Sequence, residues 1–122
     1  MLTPLELENI DLRGTEMLVL SQCQMANGSA SAGEGVYGMR RAAAIAGAQT
    51  FVAPLWNIED RVQRRLMERF YAGLATGQSR AEALRRAKLA LRSSPATRDV
   101  LYWAPVILSG SASPLPASLF QR

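Results

Sequence analysis

The sequence predicts an α/β fold, a sheet with helices packed on it, and three observations predict it. Short apolar runs recur at Met17–Ser21, Gln49–Leu55 and Trp103–Ser109. Helical patterns fill the stretches between them. The first run is followed by Ala26–Gly33, small, polar and glycine-rich, as a loop after a strand would be. Strands that alternate with helices bury their sheet beneath those helices. Three strands are few and leave edges exposed, so the chain reads as part of a larger, mainly parallel sheet.

Each element has its own signal. Met17–Ser21 (MLVLS) is a buried strand that ends in polar residues. Glu34–Gly47 is alanine-rich and ends in glycine, which predicts a helix with a glycine stop; Gly35 and Gly38 weaken its first turns. In the strand Gln49–Leu55, Pro54 belongs at the end, because it cannot donate to a ladder. Trp56–Glu59 is a loop, and a helix starts near Asp60, a good cap residue. Val62, Leu66, Phe70 and Leu74 recur every four residues and form one apolar face, and Gly77 stops that helix. Ser79 with Glu82 fits a capping box for the next helix, whose face is Leu84, Ala87 and Leu91; Pro95 follows its end. Trp103–Ser109 is the third strand. The expected organisation is one domain over residues 1–112 and a loosely held Ser-, Ala- and Pro-rich tail over 113–122.

Composition excludes several function classes. The chain has 122 residues, 48% of them hydrophobic, enough for one modest core. No apolar run approaches the roughly 20 residues of a membrane span. The N-terminus MLTPLELENIDL has no basic region before an apolar core and does not read as a signal peptide. One cysteine cannot form an internal disulfide, so a reduced, cytoplasmic setting is expected. One cysteine and no histidine are a poor zinc set, and neither metal nor other cofactor is expected. The net charge of +4 comes mostly from arginines on two helical segments, mixed with Glu59, Asp60, Glu68 and Glu82. That mixture describes solvated helix faces, and no aromatics sit between the arginines to stack bases, so nucleic-acid binding is a weaker reading.

The one position with nucleophilic chemistry is Cys23, in LVLSQCQMANG. Most lone cysteines are small core hydrophobes. This one follows the aliphatic run Leu18–Leu20, lies between Gln22 and Gln24, and precedes a glycine-rich stretch. That is the carboxyl end of a strand, where open α/β sheets place reactive groups. An unperturbed thiol has a pKa of about 8.5 and needs a neighbouring base or cation to ionise at neutral pH. The usual base is histidine, and this chain contains none.

The run LVLSQCQMANG, then GEGVYGMRRAAAIAGAQTFVAPLWNIED, FYAGLATGQSRAEALRRAKLAL and YWAPVILSG, resembles the C-terminal half of a CHAT domain. CHAT domains are relatives of caspases and separase, often joined to helical repeats. The resemblance spans about Leu12 to Gly110, with several motifs in the family's order. It implies a caspase-like three-layer sandwich, incomplete here, with about three strands and three helices. It implies that Cys23 is the nucleophile, its backbone N–H helping to form an oxyanion hole. Gly33, Glu34 and Gly35 match the family's G-E-G element, and Trp56 with Asp60 matches its W…D element. Glu59 or Asp60 would then receive a basic substrate side chain, although Asp60 reads first as a helix cap, Trp56 as strand-end packing and Glu34 as a favourable charge at a helix start. Gln22, Gln24 and Met25 replace the family's alanine, glutamate and threonine. The family's histidine lies upstream of the cysteine, on a strand this chain lacks.

Two readings follow. In the first, the chain is the C-terminal part of a CHAT-type cysteine peptidase, acting on a protein or peptide and inactive without a missing N-terminal half. In the second, it is a non-catalytic interaction module with a degenerate CHAT fold, binding a helical-repeat region or forming a homo-oligomer through a sheet edge.

Overall fold

The computed structural model describes residues 3–20 and 32–120. Two compact units divide the chain: residues 1–57 with 105–110, and residues 58–104 with 111–122.

The first unit holds the sheet. Helix α1 (Pro4–Glu8) opens it with a complete capping box: Thr3 Oγ1 accepts from Glu6 N at 3.2 Å, and the Glu6 carboxylate accepts from Thr3 N. Proline at the helix start supplies a preset φ. Strand β1 (Leu18–Val19) is followed by helix α2 (Ala32–Ala46) and strand β2 (Thr50–Pro54). All five residues of β2 are buried, which explains its unbroken apolar run, and Pro54 is its last residue as expected. Strand β3 (Val106–Gly110) completes a three-stranded sheet of order β1-β2-β3.

β1 and β2 are parallel, with Leu18 opposite Phe51 and Val19 opposite Val52. β2 and β3 are antiparallel, with Phe51 opposite Ser109 and Ala53 opposite Ile107. The expected mainly parallel sheet is therefore a mixed one over these strands. The cause lies in the connection. A single crossover helix would return the chain to the far end of the sheet. The helical connection between β2 and β3 instead brings it back to the end it left, and Leu55 N donates to Pro105 O at 2.8 Å where it leaves and re-enters. Phe51 and Ala53, alternating along β2, form one cluster with Leu7 of α1 and Val36, Met39, Ala42 and Ala43 of α2. Leu18, Leu20 and Ile107 pack against that cluster. Alanines at the contact let α2 approach the sheet closely.

The second unit is helical. Helix α3 (Asp60–Ala75) buries Val62, Leu66, Phe70 and Leu74, the face that the sequence marks out. Helix α4 (Arg80–Arg92) buries Ala83, Leu84, Ala87 and Leu91. Burying a leucine or phenylalanine fully contributes about 1.5–3 kcal/mol, so these faces stabilise the helix pair. Gly47 and Gly77 follow the helix ends at φ +111° and +92°. Only half of the expected capping box at Ser79 forms. Ser79 Oγ accepts from Glu82 N at 3.0 Å. The Glu82 carboxylate turns instead to Arg85 and Arg86, at 2.9 and 2.8 Å. Hydrogen bonds from Arg85, then from Arg86, hold its pKa down at about 2.

The third strand starts later than the sequence suggests. Val100–Trp103 is a short helix, α5, capped by Asp99, whose carboxylate accepts from Leu101 N at 2.9 Å. The Trp103 indole N–H donates to Arg98 O at 3.0 Å, and the Arg92 guanidinium lies 5.9 Å from its ring centre. These local partners hold Trp103 in helix, so extended backbone begins at Val106. In the tail, Ser113 O accepts from Arg80 N at 3.2 Å, and Ala117–Phe120 forms a 3₁₀ turn.

Candidate functional site

The parallel pair β1-β2 sets the direction of the chain at the expected site. Leu20 N donates to Val52 O at 2.8 Å, so β1 keeps step with β2 to its carboxyl end. Because the strands are parallel, both finish at the same end of the sheet. The sequence continues from β1 into residues 21–31 and from β2 into Trp56. Cys23 lies four positions beyond Val19 and outside the described residues.

The other expected residues fall on different elements. Gly33, Glu34 and Gly35 belong to the first turns of α2, which begins at Ala32, two residues before the predicted start. Trp56 is partly buried two residues after β2, in the first unit. Glu59 and Asp60 belong to the second unit, at the start of α3. The expectation that Asp60 caps this helix needs correction. Glu59 occupies the cap, with φ −56° and ψ 135°, and makes no side-chain cap bond. Its carboxylate lies 3.6 Å from the Arg61 guanidinium with 54% of the side chain exposed. Asp60 is the first helical residue, where its charge complements the helix dipole.

Glu59, Arg61, Arg65, Thr97 and Tyr102 line a cleft of 370 Å³ in the second unit. The Thr97 hydroxyl is committed to Leu91 O at 2.6 Å, so it is held as a structural donor. The cleft offers charge of both signs and no nucleophile. Among the described residues, no three His, Cys, Asp or Glu side chains gather as metal ligands would. No helix among them is long and apolar enough to cross a membrane.

A second concavity went unread in the sequence. Tyr37, Arg40 and Arg41 of α2, with Gln49, Phe51 and Ser109, line a groove of 530 Å³ in the first unit. The Arg40 guanidinium stacks over the Tyr37 ring, 5.1 Å from its centre. The available signal was the pair Arg40-Arg41 inside an alanine-rich helix, but adjacent positions do not by themselves show which strand a helix lies beside.

Comparison with known proteins gives the family. The chain is 34% identical over 113 residues to tetratricopeptide repeat protein 28 of Mus musculus, which covers 90% of this chain and 5% of that protein. It is 32% identical over 106 residues to the Homo sapiens protein of the same name, covering 85% of this chain and 4% of that protein. The chain thus spans a small fraction of the length of these relatives. No solved structure matches it. The CHAT domain model matches residues 1–111, and the chain belongs to the CHAT domain family.

Proposed function

We propose that this chain is the nucleophile-bearing, C-terminal part of a CHAT-type cysteine peptidase, built as an incomplete caspase-like sandwich, with Cys23 as the nucleophile. The parallel register of β1 and β2 carries the reading. Both strands finish at the same end of the sheet, the end at which open α/β sheets collect reactive groups, and in the sequence Cys23 follows β1 and Trp56 follows β2. With no histidine among the 122 residues, the general base comes from another segment or chain. That histidine takes the Sγ proton as sulfur bonds to the peptide carbonyl carbon. It then returns the proton to the leaving amine as the C–N bond breaks, and water hydrolyses the thioester. Trp56, Glu59 and Asp60 are assigned to substrate contact in this reading, with an acidic residue receiving a basic side chain.

The test measures alkylation of Cys23 by iodoacetamide across pH, and peptide cleavage, on two forms of the chain. One is the chain itself. The other is extended by the histidine-bearing half of a CHAT domain. The chain alone is expected to titrate as an ordinary thiol near about 8.5 and cleave nothing. The extended form is expected to show a lower apparent pKa and cleavage abolished by Cys23→Ala. No thiol-dependent cleavage in the extended form overturns the reading.

A second reading is favoured by the relatives' name and the absent histidine: an interaction module that accompanies tetratricopeptide repeats. It expects binding to such repeats to survive Cys23→Ala.

A further inference from the structure

The groove beside α2 carries charge of one sign. Arg40 and Arg41 are both exposed at its rim, and no carboxylate belongs to its lining. Neither guanidinium has a carboxylate partner among the described residues. By contrast, Arg13, Arg61, Arg85 and Arg86 each meet an acid. Stacking on Tyr37 restricts the Arg40 guanidinium and leaves its N–H edge free to donate. Gln49 and Ser109 add neutral hydrogen-bonding groups. Phe51, Ala44 and Ala48 add apolar lining.

We infer that this groove is a docking site for an acidic peptide segment of a partner protein, with carboxylates on Arg40 and Arg41 and apolar side chains on Phe51 and its neighbours. Guanidinium forks recognise carboxylates through paired, charge-assisted hydrogen bonds, and two adjacent forks suit a ligand with more than one acid. The volume of 530 Å³ is far larger than a free inorganic anion fills, and falls in the range of sites that hold several connected groups. Apolar lining beside two exposed guanidinium groups suits a ligand that is apolar and anionic at once, as an acidic peptide is.

The lining of the groove includes none of the residues assigned to the proposed reaction. Gly110 pairs with Thr50 and Ser109 with Phe51, so the groove lies at the start of β2. Trp56 follows the other end of β2. Binding in the groove therefore requires no catalytic step, and its test stands whether or not the peptidase reading does.

The experiment is fluorescence anisotropy of a short labelled peptide with glutamates among apolar residues, titrated with the whole chain. The same peptide with lysines for glutamates is the comparison. Binding of the acidic peptide alone is expected, weakening with added salt as exposed charge pairs are screened. Arg40→Glu and Arg41→Glu are each expected to weaken it by about tenfold or more. Arg64→Glu, an exposed α3 arginine outside the groove, makes the same charge change and is expected to bind as the parent does. Circular dichroism confirms that each variant is folded. Equal losses in R64E and R40E would reduce the effect to net charge and overturn the site. Full displacement of the peptide by inorganic phosphate at low millimolar concentration would identify a small-anion site and overturn the peptide occupant. Absence of binding overturns the proposal outright.

Discussion

Gly110 closes β3 with φ +96°, opposite Thr50. A Cβ placed there would collide with Gln49 O and sit 3.3 Å from the Thr50 Cα. Gly110→Ala therefore meets two costs. The positive φ disfavours any L side chain by roughly 1–2 kcal/mol. The collision is with backbone, which cannot swing aside, so β2 and β3 must separate locally, and overpacking of that kind costs about 1–3 kcal/mol. Loss of unfolded-chain freedom returns about 0.4–1 kcal/mol. The expected net destabilisation is about 2–4 kcal/mol. Gly14, in the same unit, isolates the steric part: its φ is +87°, but nothing lies within 4 Å of an added Cβ. Gly14→Ala is expected to cost about 1 kcal/mol or less. The assay is urea unfolding followed by circular dichroism. With a slope of about 1–3 kcal/mol per molar urea, the midpoints of the two variants should differ by roughly 1 M. Coincident midpoints would falsify the claim that close backbone approach at the β2–β3 end constrains Gly110.

Leu66→Ala, at a fully buried position of α3, is expected to cost about 2–5 kcal/mol, read by the same unfolding curve, and a loss under 1 kcal/mol would contradict the packed helix pair. Ser79→Ala removes the acceptor for Glu82 N and is expected to lower stability by about 1 kcal/mol, while Ser79→Gly costs less. The Glu82 pKa falls from 4.5 to about 2 on folding, so the unfolded chain binds the proton more tightly. Its stabilising contribution is complete above pH 4.5 and is lost as the pH falls toward about 2. Glu82→Gln should flatten the stability-pH curve in that window, and an unchanged acid limb would count against the Arg85–Glu82–Arg86 contacts.

The sequence showed most clearly the elements whose burial is periodic. Val62, Leu66, Phe70 and Leu74 form a face at helical spacing, and that face is buried. The apolar run of β2 is that of a strand buried along its length, and Pro54 ends it. Elements made by local caps were harder to see. Thr3-Pro4-Leu5-Glu6 carries a full helix-start signal, yet α1 has only five residues and presents one buried leucine, too little for periodicity to register. Asp99 and the Trp103 contacts turn Val100–Trp103 into helix although its apolar composition suits a strand. The sense of β3 is set by the path of the connection through α3, α4 and α5, and not by the strand's own residues. At the site, spacing located the strand ends but not the partners of the acids: Asp60 has the better cap chemistry, and Glu59 holds the cap position. The groove was invisible because Ser109 lies far along the chain from Arg40 and Arg41, and only the β2–β3 register brings them together.

That register has a kinetic consequence. Val106 can pair with Pro54 only after the intervening stretch of about 50 residues has closed on itself, which costs an unstructured chain ~3.5 kcal/mol beyond a constant term. Local contacts within α3 and α4 carry no such burden, and once these helices form they shorten the effective loop. The helical unit is thus the natural first event in folding, and the sheet a later one that depends on it. A weakened α3–α4 pair would then slow the arrival of β3, even though no residue of that pair is a member of the sheet.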